Sequence, residues 1–171
     1  MNIFATLQEI KSFTFKKVKY YSVQFEENDV NEFLDFLNRM EDIPDVEDEL
    51  GILIAWLEEI GEKHGALEQF FRHEGAAHAL PPPAKQMRVH ELTVKENMRL
   101  YCLKANEHVV FLFNGGIKTT IKAQDCPNVS PYFRQANLLA KAIDQLFSDG
   151  EIQWNNNFTD ITFETDLALK L

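Results

Sequence analysis

The chain has 171 residues, a formal net charge of −10 at pH 7 and 14 phenylalanines, a composition that indicates a dense core and excludes an intrinsically disordered chain. No apolar run approaches the roughly 18 residues that span a bilayer, and the first residues lack the pattern of a signal peptide. Two cysteines are too few for a disulfide framework. We therefore expect a cytoplasmic globular protein with one main domain.

The first predicted strand covers residues 15–25, which are dense in the Tyr, Val and Phe side chains that favour strands. This strand begins the main domain, which we place at residues 15–150. Residues 1–14 are interpreted as an N-terminal extension, with a short helix over residues 2–10.

Two helices are predicted after this strand. Asp29, with Glu32 three residues later, matches the capping box of a helix start. Pro44 ends the first helix, because the residue before a proline is pushed out of the α conformation. Asp45 is the predicted cap of the second helix, whose acidic first turn suits the partial positive charge of a helix N-terminus.

The segment that follows the helices is predicted to be a loop over residues 74–84, because it contains three consecutive prolines. His73 and His78, with Glu74 between them, have a loose metal-ligand spacing. We interpret them as part of a solvated loop, and no metal or cofactor is expected.

Three strands are then predicted at short spacing. The first covers residues 85–94, and the other two form a hairpin of residues 99–104 and 108–113. Cys102 lies in the hairpin and is interpreted as a core residue. The pair Gly115-Gly116 is predicted to end the last of these strands.

A final helix is predicted from Ser130 to Gly150, and residues 151–171 form a tail. Within the tail, residues 158–165 alternate and fit either an edge strand or an ordered segment against a neighbouring molecule. The order β-α-α-β-β-β-α predicts an α+β fold, in which a small antiparallel-rich sheet has two N-terminal helices packed on one face and a C-terminal helix. The other face is expected to carry polar side chains.

Basic residues gather in the middle of the chain. Residues 1–80 carry a net charge of −10, residues 81–147 carry +4 and residues 148–171 carry −4. The predicted strands and the last helix present one basic and aromatic set, made up of Arg88, His90, Arg99, Tyr101, Lys118, Lys122 and Arg134. Such a set can hold a phosphate, stack a base and lower the barrier of RNA cleavage without a metal. The alternative is that these charges are solvated and bind nothing.

Three stretches resemble the RelE/HigB-type toxin superfamily, in particular its phage-derived killer-protein-like branch. They are RLYC at 99–102, VVFLFNGGIKTT at 109–120 and, after a proline, ANLLAK at 136–141. Members of that branch show a strand with arginine and tyrosine, an apolar strand that ends in a glycine-containing turn, a Lys-Thr pair and an Ala-rich helix. The chain departs from the family pattern at Thr93, where the family has an arginine.

The resemblance implies a ribosome-dependent mRNA endoribonuclease of a toxin–antitoxin system, with an antitoxin of the helix-turn-helix type and the translating ribosome as partners. It implies that Arg99 and Lys118 contact the phosphate or the transition state, and that Tyr101 and His90 stack on a base or transfer a proton. The competing interpretation is a non-catalytic protein-binding module, or a homodimer, on the same fold. No membrane partner is expected.

Overall fold

The computed structural model describes residues 3–83, 97–119 and 122–171. The predicted strand over residues 85–94 lies outside the described residues, and with it Arg88 and His90. The described strands are β1 (Phe4–Thr14), β2 (Lys19–Phe25), β3 (Arg72–Glu74), β4 (Ala77–Leu80), β5 (Met98–Lys104), β6 (Val109–Ile117), β7 (Gln153–Trp154), β8 (Ile161–Thr162) and β9 (Ala168–Lys170). The α-helices are α1 (Glu32–Glu41), α2 (Glu47–Glu59) and α3 (Ser130–Ser148).

Seven of the described strands form one sheet in the order β3-β4-β5-β6-β2-β1-β9, and β7 pairs with β8 in a separate ribbon. All neighbours in the main sheet are antiparallel except β2 and β6, which run parallel and are separated in the chain by α1, α2 and strands β3 to β5. The expected α+β class and the β5–β6 hairpin are both confirmed.

Helices cover both faces of this sheet. On one face, α1 and α2 pack over side chains such as Tyr20, Leu100 and Val110, and on the other face α3 packs over Tyr21, Tyr101 and others of the alternate set. The expectation of a polar, uncovered second face is therefore wrong. The reason is that β5 and β6 carry apolar residues at almost every position, which is the pattern of a strand buried on both sides.

Two predicted segments have a different structure from the one expected. The helix expected over residues 2–10 is wrong, since these residues lie mostly in β1, where Ala5 and Leu7 are buried against the α3 side and alternate with polar neighbours. The loop expected from residue 74 is also partly wrong, because β3 and β4 form a tight hairpin around Gly75 before the prolines begin.

The helix starts also differ in detail from the predictions. The cap of α1 is Asn31, whose side-chain Oδ1 accepts a 2.9 Å hydrogen bond from the Leu34 amide, so Asp29 is not the cap. Asp45 has φ of 66° and does not cap α2, which begins without a side-chain cap. Helix α3 begins at Ser130 with proline in its first turn, but Val129 occupies the cap position without a side-chain cap bond, so Ser130 is the first helical residue and not the cap that its residue type predicts.

The segments set apart in the sequence as an extension and a tail both contribute to the main sheet. Strand β1 pairs with β2, and β9 pairs with the outer edge of β1. Asp160 attaches the tail further, because its carboxylate lies 2.7 Å from the Lys19 Nζ and accepts a 2.5 Å hydrogen bond from the Tyr21 hydroxyl. None of the helices in the described part of the chain is long and apolar enough to cross a membrane.

Candidate anion-binding site

The register of β3, β4, β5 and β6 brings basic side chains from separate strands onto one face of the sheet. Arg72 lies opposite Ala79, and Ala79 lies opposite Tyr101, so these three share a row. Arg99 is two residues before Tyr101 and therefore points to the same side, where it lies opposite Gly116. This is the face that α3 covers.

Two glycines of β6 allow neighbouring backbone to approach unusually closely. A Cβ atom on Gly115 would lie 1.8 Å from the Arg99 carbonyl oxygen, and one on Gly116 would lie 2.7 Å from the Asn128 carbonyl oxygen. The loop that leads into α3 thus passes directly over the end of β6. The expectation that Gly115-Gly116 ends the strand is wrong, because the pair lies inside β6. Between Gly115 and Leu112, β6 has one more residue than β5 has between Leu100 and Cys102, which is a register shift typical of a β-bulge.

Lys118 follows β6 and extends this cationic group. Its amide donates a 2.6 Å hydrogen bond to the Asn97 carbonyl, which fixes the backbone beside the start of β5. Its ammonium has no hydrogen bond or salt bridge to any described residue. Partial burial lowers the pKa of Lys118, and the nearby charges of Arg99 and Arg72 lower it further, while Glu74 acts in the opposite direction. Three cations and one acid therefore lie within electrostatic range.

Tyr101 is fully buried beside this group, with its ring in edge contact with Phe133 of α3 at a centroid distance of 6.0 Å. Its hydroxyl finds no hydrogen-bond partner among the residues that the structure describes. Burial raises the pKa of Tyr101 far above its ordinary value, and the charge of Glu74 raises it further. The phenol is therefore neutral, and it can donate a hydrogen bond but not act as a base at physiological pH.

Arg99 is also deeply placed, with only 3% of its surface exposed. One guanidinium nitrogen donates a 3.0 Å hydrogen bond to the Met98 carbonyl. Its charge is consequently held under the surface and does not reach into solvent. Arg99 therefore acts on its surroundings chiefly through its field, while half-buried Lys118 is the cation that a solute can touch.

Cys126 lies at the same end of the sheet. Burial raises the pKa of its thiol, but hydrogen bonds from the Thr119 hydroxyl and amide and from the Asn128 and Val129 amides outweigh burial and lower the pKa to about 7. The Thr119 amide lies 3.3 Å from the sulfur. Cys102, in contrast, is enclosed in the α1–α2 core, where burial raises the pKa, in line with its expected structural role.

The remaining members of the predicted set do not add to this group. Lys122 and Arg134 are exposed, the first just before the short turn that leads to Cys126 and the second on α3. Arg88 and His90 lie outside the described residues. The structure therefore brings together Arg99, Tyr101 and Lys118 of the predicted set.

Sequence reasoning missed Arg72, Glu74 and Cys126. The signal for the first two was present, since residues 72–80 alternate on either side of Gly75, a glycine with φ of 73° in a two-residue hairpin turn. The three prolines that follow favour a loop, and a loop was predicted over residues 74–84 in spite of this alternation. Nothing in the sequence near Cys126 indicates that several amides converge on its sulfur, because that arrangement depends on the turn before α3.

A second group of polar side chains lies on the opposite face of the β3–β4 hairpin. Glu68, His73 and His78 place one ligand atom each within 4.8 Å of one another, and no other group of three such residues occurs in the described ranges.

Comparison with protein-family models, with curated proteins and with solved structures finds no match to the chain.

Proposed function

We propose that the cationic group at the end of β5 and β6 binds a phosphate of RNA, and that the protein is a RelE/HigB-like toxin that cleaves mRNA on the ribosome. The observation that carries the proposal is the register that puts Arg72 and Arg99 on one face, with Lys118 within range of both charges. A buried tyrosine hydroxyl that has no partner within the described residues lies beside them. The order β2-α1-α2 followed by β5-β6-α3 is roughly that of the resemblance, although β1, β3 and β4 are additional strands and the expected strand over residues 85–94 lies outside the described residues.

Electrostatics favour an anion at this place. Partial burial lowers the pKa of Lys118, and the charges of Arg99 and Arg72 lower it further, so its positive charge is held at a cost in free energy. A bound phosphate removes the cost and accepts charge-assisted hydrogen bonds from the ammonium. The Lys118 side chain is partly exposed, so it can form the direct contact, while Arg99 and Arg72 strengthen the field behind it.

The same geometry assigns roles in cleavage of the RNA chain. Attack of the 2′-hydroxyl on phosphorus needs a base that takes the hydroxyl proton, cations for the charge of the phosphorane and an acid for the departing 5′ oxygen. The Glu74 carboxylate, whose charge acts on Lys118, is the described group of this site that would take the hydroxyl proton. Lys118 fits the other two tasks, because its lowered pKa makes its proton easier to transfer. The Tyr101 hydroxyl is neutral but buried, so it would donate a hydrogen bond to RNA only if α3 moved. Its ring is covered by Phe133, so stacking of a base on it would require α3 to move.

The test is expression in bacteria, with growth and the integrity of ribosome-bound mRNA as readouts. Wild-type protein should arrest growth and cut mRNA within ribosomes, and Lys118→Ala should abolish both effects. Lys141→Ala is the matched control, since it removes an exposed lysine from α3 and should leave toxicity intact. Intact mRNA in cells that express folded wild-type protein would refute the cleavage activity.

A non-catalytic binding module is the second candidate, and the burial of Arg99 and Tyr101 under α3 favours it. The two functions separate in a binding assay with single-stranded RNA. RNA binding should weaken about 10- to 100-fold in Lys118→Ala, the range of one charge-assisted hydrogen bond. Absence of RNA binding, together with a stable homodimer or a captured antitoxin, would favour the binding module.

A further inference from the structure

The β3–β4 hairpin carries two histidines directly opposite each other. His73 and His78 are cross-strand partners, and their ring centroids lie 5.2 Å apart. Glu68, in the 3₁₀ turn of residues 68–70 before β3, reaches the same point, where its Oε1 lies 2.7 Å from the His73 Nε2. Three different local elements thus contribute one side chain each, and none of the three takes part in the cationic group described above.

We propose that Glu68, His73 and His78 form a binding site for a divalent transition-metal ion of the zinc class. Two imidazoles and one carboxylate form a ligand set that suits zinc and related ions, whereas magnesium and calcium select oxygen ligands. The ligands come from the turn, from β3 and from β4, so the ion would join the edge of the sheet to the turn that precedes it. Three protein ligands leave a coordination position for water or another small ligand.

The spacing fits an ion after a small adjustment. Zinc lies about 2.0–2.2 Å from nitrogen and oxygen ligands, so the ligand atoms of a tetrahedral site are separated by about 3.3 Å. In the chain, the His73–Glu68 separation is 2.7 Å and all three ligand atoms lie within 4.8 Å. An ion would therefore widen the first separation and narrow the longest one. The His73 and Glu68 side chains are 67% and 57% exposed, which leaves them room for these shifts.

Neighbouring groups already orient two of the three ligands. The Lys104 Nζ lies 3.0 Å from the Glu68 Oε2 and so holds the oxygen that does not face His73. Such contacts from outside the ligand set are a general feature of metal sites. Phe71 packs against the edge of the His78 ring at a centroid distance of 5.9 Å, and strand pairing of β4 with β5 fixes the backbone of His78.

One contact changes when an ion binds. The His78 Nδ1 accepts a 3.3 Å hydrogen bond from the Lys104 amide. Coordination through Nε2 would place the ring proton on Nδ1 and replace this bond, which is long and therefore weak. Coordination through Nδ1 would likewise displace it. Either way the loss is small compared with two imidazole ligands and one carboxylate gained by the ion.

The test is a titration of the chelator-treated, full-length protein with zinc, followed by calorimetry, and with cobalt, followed by the visible absorption of tetrahedral cobalt. We expect one ion per chain with histidine coordination. At zinc concentrations about 100-fold above Kd, the thermal midpoint should rise by roughly 5–10 °C. A lack of binding under these conditions would overturn the proposal.

Variants separate this site from adventitious binding. His73→Ala should weaken zinc binding more than about tenfold, while its midpoint without metal stays close to that of wild type because the side chain is largely exposed. His73→Cys should restore binding through a thiolate ligand.

His64→Gln is the matched control. His64 lies beside a carboxylate, with its Nε2 3.4 Å from the Glu59 Oε2, but no third ligand joins this pair among the described residues. The control should bind zinc as wild type does. Unchanged binding in His73→Ala, or equal loss in His64→Gln, would refute the assignment, and neither result depends on any activity toward RNA.

Discussion

Gly115 provides the sharpest test of how β5 and β6 fit together. The substitution Gly115→Ala adds a Cβ atom that would lie 1.8 Å from the Arg99 carbonyl oxygen, about half of the 3.4 Å at which ordinary contact begins. The obstructing atom belongs to the backbone of the neighbouring strand and cannot rotate away. The two strands must therefore separate at the Leu100–Gly115 pair, where both are buried.

The expected cost follows from the hydrogen bonds that this separation breaks. Leaving buried backbone groups without partners costs about 1–3 kcal/mol each, so two broken bonds lower the free energy of unfolding by roughly 2–6 kcal/mol. For a chain of this size, that loss lowers the thermal midpoint by roughly 5–25 °C. Urea unfolding, followed by the fluorescence of the fully buried Trp56, measures the free energy directly.

Gly51→Ala is the matched control, because it makes the same chemical change where no atom lies within 4 Å of the added Cβ. Gly51 is exposed in α2, so alanine should raise the free energy of unfolding by about 0.5–1 kcal/mol through better helix propensity. The two variants should thus shift stability in opposite directions. If Gly115→Ala were as stable as wild type, the close approach of β6 to the Arg99 carbonyl would be refuted.

Three further predictions concern the tail, α3 and the thiol. Burial raises the pKa of Asp160, but hydrogen bonds from Lys19 and Tyr21 outweigh burial and lower the pKa below its ordinary value. The carboxylate therefore stabilises the fold above the unfolded pKa of about 3.9, and this stabilisation is lost as pH falls through the lower folded pKa. Asp160→Asn should cost about 1 kcal/mol at neutral pH in urea unfolding, and an equal cost in strong acid would contradict this origin. Asn137→Ala should cost about 1 kcal/mol, since its Oδ1 accepts a 2.6 Å hydrogen bond from the turn of the β3–β4 hairpin, and hydrogen exchange in that turn should rise. Cys126 should react slowly with iodoacetamide despite a pKa of about 7, because it is fully buried, and rapid labelling of the native protein would count against that burial.

The sequence was most informative where one local pattern determined the structure. The β5–β6 hairpin, α1, α2 and α3 follow from apolar periodicity and from turn residues, and the placement of Arg99 and Tyr101 on one face follows from the alternation of a strand. These predictions need no information about which elements lie beside one another. They were accordingly correct in type, although the helix caps at Asp29 and Asp45 were not.

Features that depend on distant contacts could not be predicted in the same way. Residues 2–10, most of which lie in β1, were predicted as a helix, and the pairing that makes β1 an inner strand of the sheet depends on β9 at the other end of the chain as well as on the adjacent β2. The burial of Arg99 depends on α3, which packs across the sheet from residue 130 onward. The cluster of Glu68, His73 and His78 was interpreted as a solvated loop, since its spacing has meaning only when β3 and β4 pair. The depressed pKa of Cys126 likewise arises from amides that only the folded turn brings together.

The β3–β4 hairpin has a consequence for which changes in chain length the protein tolerates. Arg72 and Glu74 point to one face, while His73 points to the other, so both polar groups depend on odd and even positions of the same short segment. Deleting one residue within a strand of the hairpin would turn the side chains of that strand to the opposite face of the sheet. The cationic group and the Glu68, His73 and His78 cluster would then each lose a side chain. Deletions or insertions of two residues preserve the alternation. We therefore expect this hairpin to accept length changes in pairs only, which a deletion series scored by zinc binding and by RNA binding would test.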